Sequence, residues 1–233
     1  METKNARVVR GRTELWVPHN AGEIAFAYPS AGPNSYREVR KEILNRGQKI
    51  PTGSQTSSLL YAAYCIPEVE SEPEFENVRS IMRGAWLWLF NRNLWVENGV
   101  YVLQDTQAIG RGESLDVNKL EIMLKNGKEI EGVRFSEDGT LRFAPKETYN
   151  LGEQTPEVLA KNGFVIASCG RDGAEKIADA SAKFKRKPYV NGVETKKPEQ
   201  RVSALDGYGG LRLDFGGLNF DDAGLSHAFG VLE

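Results

Sequence analysis

Cysteine and histidine are scarce in this sequence, and their scarcity excludes two classes of protein. Two cysteines, Cys65 and Cys169, among 233 residues are too few for a small secreted scaffold held together by disulfides. Two histidines, His19 and His227, stand about two hundred positions apart, and no motif has the spacing of metal ligands. We therefore expect neither a metal nor a cofactor, and a reducing cytoplasm as the compartment.

Long apolar runs and an excess of charge of one sign are also missing. The most apolar stretch, 85–90, is six residues long, whereas a membrane-spanning helix needs about 20. The first fourteen residues are charged and lack the apolar core of a signal peptide. A formal net charge of -2 creates no global field that attracts nucleic acid. These features predict a soluble protein whose partners are neither nucleic acids nor membranes.

Charge is nevertheless distributed unevenly along the chain. Residues 68–76 are acidic, and 183–187 are basic and are followed by Lys196, Lys197 and Arg201. Acids near a helix N-terminus and bases near a C-terminus are stabilised by the helix dipole. We interpret both segments as solvated helix ends, and a polyanion-binding patch at the basic segment is the alternative.

The order of strand-like and helix-like patterns predicts an α+β fold. A chain of this length buries about 70% of its unfolded surface, which is enough for a sizeable core. The patterns at the start of the chain are strands at 7–17 and 24–28 and helices at 35–46 and 55–65. Strands and helices do not alternate regularly, which argues against a doubly wound parallel sheet. We expect a single domain, 1–233, of mostly antiparallel strands and hairpins packed against several helices, with a subdivision near 145–155 as the alternative.

A buried helix around 72–92 is expected at the centre of this fold. Ser71 and the residue three positions later have the pattern of a capping box. From 85 to 90 the sequence is apolar on every side, so this part of the helix should be enclosed by other elements. Trp86 and Trp88 are expected to anchor the core.

The Asn98-Gly99 dipeptide predicts a β-hairpin, because both central residues of a type I′ turn need positive φ. A two-residue loop at this position pairs Val96 with Tyr101. Apolar side chains then lie on both faces of the hairpin, so we expect both faces to be covered.

A second hairpin is predicted around Asp138-Gly139. A two-residue loop would place Phe135 opposite Arg142 and mix core and surface on one face, so we favour a three-residue loop with Gly139 left-handed. This register sets Arg134 directly across from Arg142. Like charges in that position destabilise a sheet unless an acid or a bound anion offsets them, and arginines splayed into water are the simplest alternative.

The remaining segments predict further elements of both kinds. Residues 115–125 predict a helix, and a strand that ends in an Asn126-Gly127 hairpin is the competing interpretation. A short helix near 156–161, a half-buried strand near 211–215 and a closing strand at 227–232 complete the expected elements.

A first candidate anion site follows a predicted buried strand at 164–168. Gly170, Arg171 and Gly173 lie in the loop between this strand and the next predicted helix. Backbone N–H groups and the helix dipole bind anions in such a geometry, although the spacing fits neither a Walker loop nor a dinucleotide fingerprint. Asp172 as a cap of its own helix is the favoured alternative.

A second candidate anion site is the hydroxyl-rich segment 52–58. Thr52, Ser54 and Thr56 place several donors at a helix N-terminus, where a phosphate or carboxylate can be held without a dedicated cation. The alternative is that Ser54 or Thr56 caps the helix and that its neighbours are solvated.

Cys169 is a candidate nucleophile. A helix N-terminus next to it would lower the pKa of the thiol, and His19 or His227 would have to act as its base. The alternative, which we favour, is that Cys169 is a small core residue.

Two functions stay open. The first, which we favour, is a binding or interaction module without catalytic groups, whose aromatic segments line a groove or whose apolar patch binds a protein partner or a second copy in a homo-oligomer. The second is an enzyme acting on a small anionic substrate. The proposed anion-binding residues are Thr52, Ser54, Thr56, Arg134, Arg142, Gly170, Arg171 and Gly173. This second function requires that the residues converge in the fold.

Overall fold

The computed structural model describes residues 6–9, 14–105, 115–218 and 226–232. The strands are β1 (Arg7–Val9), β2 (Glu14–His19), β3 (Gly22–Ala27), β4 (Trp86–Val96), β5 (Gly99–Gln104), β6 (Lys128–Ile130), β7 (Val133–Phe135), β8 (Leu141–Pro145), β9 (Gly152–Glu153), β10 (Tyr189–Asn191), β11 (Glu199–Asp206), β12 (Asp214–Leu218) and β13 (Ser226–His227). The helices are α1 (Tyr36–Asn45), α2 (Gly53–Cys65), α3 (Pro73–Gly84), α4 (Val117–Leu124), α5 (Pro156–Leu159) and α6 (Gly163–Ser181).

A ten-stranded mixed sheet forms the framework of the fold. Its strand order is β6-β7-β8-β5-β4-β11-β12-β10-β9, and β13 pairs with one end of β4. The pairs β10–β12 and β13–β4 are parallel, and the other pairs of the described sheet are antiparallel. Strands β1, β2 and β3 form a separate antiparallel sheet. The expected α+β class, with mostly antiparallel strands packed against several helices, is confirmed.

Strand β4 lies at the centre of the large sheet, where the sequence predicted the second half of a buried helix. Helix α3 begins after Glu72 without a side-chain cap, so the predicted capping box at Ser71 is absent, and it ends at Gly84. The prediction of a helix around 72–92 was therefore wrong beyond Gly84. A continuous apolar run also fits a strand that is covered on both faces, and the aromatic content of 86–96 favours that choice.

The two faces of β4 join different parts of the core. Leu87, Leu89 and Trp95 pack in the large cluster that includes residues of α2, α3 and α6. Trp88 packs on the opposite face against α1, where its ring lies 5.4 Å from the ring of Tyr36. Further along that face, residues of β4 and α4 share a third cluster. The sheet is therefore a middle layer with helices on either side. The predicted burial of Trp88 is confirmed, whereas Trp86, which was expected to anchor the core with it, is only half-buried.

Helix α6 replaces the predicted buried strand at 164–168. The side chain of Asn162 accepts hydrogen bonds from the backbone N–H groups of Phe164 and Val165, which starts the helix at Gly163. Gly170 then breaks the helix with φ of 72° and ψ of 168°, which divides it into the segments 163–169 and 171–181. Both segments pack against α2 or the sheet, so the apolar run of the first segment reflects burial of a helix rather than a strand.

The first predicted hairpin is present with a different register. Val96 pairs with Gly99, and Tyr101 pairs with Leu94 rather than with Val96. The turn residues are therefore Glu97 and Asn98. Because Tyr101 has moved by two positions along β4, each side chain keeps its predicted face, and both faces of β4 are covered as expected.

The second predicted hairpin has the register that sequence reasoning rejected. Phe135 pairs with Arg142, and Arg134 pairs with Phe143, so the predicted Arg134/Arg142 pair was wrong. Gly139 is left-handed with φ of 71°, as expected. The guanidinium of Arg142 lies 5.2 Å from the ring centre of Phe135, and that of Arg134 lies 4.6 Å from the ring centre of Phe143. These cation–π contacts stabilise the mixed pairing that polarity alone disfavours.

The other predicted helices are confirmed at α1, α2, α4 and α5. The predicted half-buried strand at 211–215 begins later, at Asp214, and continues to Leu218. In the segment predicted as a closing strand, residues 226–227 pair with β4. Single bridges then join Ala228 to Ala31 and Val231 to both Phe26 and Lys49. The segment 226–232 thus ties the small sheet to the large one.

None of the helices in the described part of the chain has the length and apolar character needed to cross a membrane.

Removal of the Trp95 side chain should destabilise the protein strongly. Trp95 is fully buried and contacts the rings of Tyr149 and Phe164. Trp95→Ala is expected to lower the free energy of unfolding by about 3–5 kcal/mol, as measured by urea denaturation. Ile122→Ala is the control, because Ile122 is 73% exposed and its loss should change stability by less than about 0.5 kcal/mol. Equal effects of the two substitutions would contradict the central position of β4.

The break at Gly170 should require glycine for conformational reasons alone. A Cβ atom at Gly170 would meet no atom within 4 Å, but its φ is positive. Gly170→Ala is therefore expected to lower the free energy of unfolding by about 1–3 kcal/mol through backbone strain. Gly84→Ala also meets no atom within 4 Å, at a φ that alanine adopts, and is expected to be neutral or slightly stabilising. A neutral Gly170→Ala variant would show that the helix continues through this position.

Candidate functional site

Some of the predicted anion-binding residues converge, and others do not. The N-terminus of α2 meets the break in α6 so closely that a Cβ atom at Gly53 would lie 2.2 Å from the carbonyl oxygen of Ser168. Arg142 reaches the same region, where its Nη1 donates to the carbonyl oxygen of Ala167 at 2.9 Å. Arg134 lies apart from this region and pairs with Glu121 of α4 at 2.8 Å.

Protein groups already engage the N-terminus of α2. The backbone N–H of Gln55 donates to the Thr52 side chain at 3.2 Å, and the Gln55 side chain accepts from the Thr52 N–H at 2.8 Å. Thr52, rather than Ser54 or Thr56, is therefore the cap of this helix, and Thr56 is buried. The positive end of the α2 dipole faces the carbonyl end of the first segment of α6, so opposite partial charges meet there.

Arg142 and Asn91 bind the same carbonyl end. The amide of Asn91 donates to the carbonyl oxygen of Ser168 at 2.9 Å, beside the bond from Arg142 to Ala167. Arg142 is 8% exposed, and burial lowers the pKa of its guanidinium. No carboxylate of the described residues forms an ion pair with it. Backbone carbonyls at a helix C-terminus thus compensate its charge, rather than the acid, the bound anion or the solvent that the sequence analysis considered.

The predicted loop residues of the first anion site lie within α6. Arg171 forms ion pairs with Glu131 at 3.0 Å and with Glu175 at 3.3 Å, so its charge is compensated at the surface. Gly173 lies against the backbone of Ser54 in α2. The anion-binding role of these residues stays a prediction.

Cys169 is a core residue, as the favoured interpretation expected. It is fully buried, and burial raises the pKa of its thiol to about 12. A thiol in this state is protonated at neutral pH and is a poor nucleophile. The side chain that hydrogen bonds to the Cys169 thiol is Ser57, whereas Nδ1 of His19 lies 2.9 Å from Oγ of Ser58 and Nδ1 of His227 lies 3.1 Å from Oγ of Ser30.

A hydrogen-bond network around Ser58 links three elements that sequence reasoning did not connect. Nζ of Lys176 donates to Oγ of Ser58 at 2.8 Å, and the same oxygen contacts His19. The residues belong to β2, α2 and α6. Burial lowers the pKa of His19, and the nearby ammonium of Lys176 lowers it further. Separations of 39 and 118 positions along the chain leave no local signal for such a network.

Sequence reasoning also missed a groove on the large sheet. In one row across the sheet, Trp88 of β4 pairs with Ala204 of β11, Ala204 with Gly216 of β12, and Gly216 with Asn191 of β10. The short side chain of Ala204 leaves space above the sheet beside Trp86, whereas the Asn191 side chain packs so closely over Gly216 that an added Cβ atom would lie 2.4 Å from its Cβ. The resulting cavity has a volume of about 400 Å³. We call it the sheet groove, and its lining residues are Trp86, Asn191, Gly192, Val193, Arg201, Ala204, Leu205, Asp206, Asp214, Gly216 and Gly217.

The next row of the sheet supplies the charged end of the sheet groove. Trp86, Asp206, Asp214 and Tyr189 stand side by side on neighbouring strands. Arg212 donates to both carboxylate oxygens of Asp214, at 2.6 and 2.9 Å. The Asp206 carboxylate instead accepts hydrogen bonds from the backbone N–H of Tyr208, at 2.9 Å, and from the Trp86 indole.

Burial raises the pKa of Asp206, and the neighbouring charge of Asp214 raises it further. Among the described residues, no basic side chain forms an ion pair with Asp206. In the same part of the chain, no three His, Cys, Asp or Glu side chains come together in a way that could hold a metal ion.

Acidification should destabilise the protein through His19. The pKa of His19 is lowered in the folded state from 6.5, so at mildly acidic pH the unfolded chain binds more protons than the folded one. The stabilisation is present above pH 6.5 and is lost as the pH falls through the folded pKa. Urea denaturation between pH 7.5 and pH 5, a range of about 2.5 units around the histidine pKa, measures this loss.

His19→Gln removes the titration and keeps a side chain that can hydrogen bond to Ser58. We expect a smaller loss of stability on acidification in this variant than in the unchanged protein. His227→Gln is the comparison variant: burial also lowers the pKa of His227, which contacts Ser30 instead, so this variant should remove a separate part of the loss and the two effects should add. Identical pH profiles for His19→Gln and the unchanged protein would contradict the assignment to His19.

Comparison with known proteins gives one distant structural likeness. No family model matches the chain, and no curated protein matches it in sequence. A solved structure described as accommodation of massive sequence variation in Nanoarchaeota by the C-type lectin fold resembles it with a TM-score of 0.47 and 10% sequence identity. The superposition covers 88% of this chain and 97% of that chain. This similarity is too distant to carry an argument, so the α+β class is assigned from the sheets and helices of the protein itself.

Proposed function

We propose that this protein is a ligand-binding module and that the sheet groove is its binding site. The observation that carries the proposal is a cavity of about 400 Å³ whose wall is the indole of Trp86 and whose charged end is Asp206. Small-molecule sites have volumes of roughly 300–1,000 Å³ and combine apolar walls with a few polar groups. The size and the lining of the sheet groove match that description.

The floor of the sheet groove supports a preformed site. It is built mainly from β11 and β12, two strands inside the large sheet that pair from Val202 with Leu218 to Asp206 with Asp214. Side chains on such strands lose little freedom when a ligand binds. Because the groups of a rigid site are already ordered, ligand binding loses less free energy to ordering them.

Exposed apolar surface gives less support to a protein partner or a homo-oligomer. The large exposed apolar side chains of the described residues are Leu44, Ile122, Met123, Val158 and Tyr208. Ile122 and Met123 are neighbours on α4, and the others lie on separate elements. Single exposed apolar residues are common on monomeric proteins, so we place the binding function in the sheet groove.

An enzyme acting on a small anionic substrate is a second candidate, favoured by one observation. The segment 52–58, the break at Gly170 and the Arg142 guanidinium meet in space, which the hypothesis required. Against it, Thr52 and the carbonyl of Ser168 already engage the N-terminus of α2, and Arg134 lies elsewhere. We therefore keep it second to the binding module.

We also propose that residues 1–233 form a single domain in a reducing cytoplasm. In support of one domain, Trp95 and Phe164, which lie on either side of the segment 145–155, pack against each other at 4.7 Å. In support of a reducing compartment, Cys65 and Cys169 are both free thiols.

Small probes should bind in the sheet groove and perturb the nuclear magnetic resonance signals of its residues. We suggest titration of choline, arginine, methyl glucoside, acetate and inorganic phosphate, each up to about 20 mM, which detects dissociation constants in the millimolar range. At least one probe is expected to shift the Trp86 indole signal and the amide signals of Gly216 and Gly217. Trp86→Ala should weaken that binding about tenfold or more, since an aromatic wall contributes a large share of contact area.

Trp16→Ala is the matched control, because Trp16 is also half-buried but lies on β2 outside the sheet groove. Both variants should keep the circular dichroism spectrum of the unchanged protein. If no probe shifts the signals of the sheet groove, the proposed function is wrong. A response to phosphate at Gly53 and Gly170 alone would favour the second candidate.

A further inference from the structure

We infer that the sheet groove selects ligands that carry a positive charge, such as an amine, a guanidinium or a quaternary ammonium group, and holds that charge against both the Asp206 carboxylate and the ring face of Trp86. The inference rests on the proposed function, because it assigns a ligand chemistry to the same site. It differs from the anionic ligand that the sequence predicted for the helix N-termini.

Among the described residues, the charges around the sheet groove leave one carboxylate without a cation. Arg201 forms an ion pair with Glu199, and Arg212 forms one with Asp214. Asp206 forms none with the residues that the structure describes. The two arginines and three acids therefore leave a net single negative charge, and that charge lies on Asp206 at the end of the cavity. An anionic ligand would be repelled there, and a cationic ligand would be attracted.

The protein already binds one of its own cations with the chemistry that we propose. The guanidinium of Arg212 lies 4.6 Å from the ring centre of Tyr189 and 5.0 Å from that of Tyr208. The same guanidinium is paired with the carboxylate of Asp214. An aromatic face and a carboxylate on neighbouring strands thus hold a cation at this end of the sheet.

Trp86 and Asp206 repeat that pair of groups on the two adjacent strands. The register places Asp206 opposite Asp214 on one side and opposite Trp86 on the other. Residues directly across neighbouring strands lie about 5 Å apart, so a ligand cation can contact both groups at once. The row therefore consists of an aromatic residue, two acids and a second aromatic residue. Arg212 binds to the half formed by Asp214 and Tyr189, and no protein cation of the described residues binds to the half formed by Asp206 and Trp86.

The environment of Asp206 favours a cationic partner further. A carboxylate has acceptor capacity for about four hydrogen bonds, so the donors that orient Asp206 leave room for a ligand donor. Burial and the charge of Asp214 raise the pKa of Asp206, which means that its anionic form is destabilised in the free protein. A bound cation would relieve that destabilisation. Tryptophan is also the best of the aromatic side chains at cation–π contact.

The test compares choline with 3,3-dimethylbutan-1-ol, which has the same shape but carries no charge. Both probes are titrated into the full chain, and the Trp86 indole signal reports binding. Choline is expected to bind at least about tenfold more tightly than the neutral alcohol. In Asp206→Asn, which keeps the size of the side chain, the affinity for choline should fall to that of the alcohol.

Glu153→Gln is the matched control. Glu153 pairs with Tyr189 at the outer end of the same row and does not line the sheet groove, so this variant should keep the preference for choline. Circular dichroism and urea denaturation of each variant show whether it folds. The salt dependence of choline binding gives a second readout in the unchanged protein, since an ion pair weakens as salt is added.

Equal affinities for choline and the alcohol, or a preference that survives Asp206→Asn, would overturn the inference and leave the binding module standing. Acetate or phosphate that binds in the sheet groove more tightly than choline would do the same. If no probe of either kind shifts the Trp86 signal, the proposed function itself fails, and the inference falls with it.

Discussion

Because residues 86–96 carry large apolar side chains on both faces of one strand, helices have to pack on each side of it. Leu87, Leu89 and Trp95 require cover from α2, α3 and α6, and Trp88 requires cover from α1. Exposure of either face would leave several aromatic rings in water, at roughly 25 cal/mol for each Å² of apolar surface. The layered arrangement depends on this double burial.

The sequence was sufficient to predict elements whose signals are local. The patterns at 35–46 and 55–65 placed α1 and α2 to within two residues at each end. It was insufficient where burial on all sides removed the periodicity. There the sequence predicted a helix at 86–90, which is a strand, and a strand at 164–168, which is a helix. Asn162 was a usable signal for the second case, since its side chain caps α6.

The registers and the candidate site depended on contacts that no local pattern contains. Polarity argued against Phe135 opposite Arg142, yet a cation–π contact and the carbonyl of Ala167 stabilise that pairing. The sheet groove lies along a row in which Ala204 and Gly216 stand between a tryptophan and an asparagine on other strands. Only the pairing of β4, β11, β12 and β10 brings these residues into one row. The strand pairing is not visible in the sequence, so no local pattern predicts the sheet groove.

The bridges from segment 226–232 to Phe26, Ala31 and Lys49 have a consequence for the order of folding during synthesis. During synthesis on a ribosome, residues 25–49 emerge long before residues 226–232, with which they pair. Strand β4 likewise emerges long before Ser226 and His227, its partners at one end. Contacts of such large sequence separation form late and slowly. The small sheet and α1 therefore spend most of translation without their final hydrogen-bond partners, in a state that chaperones and proteases can recognise.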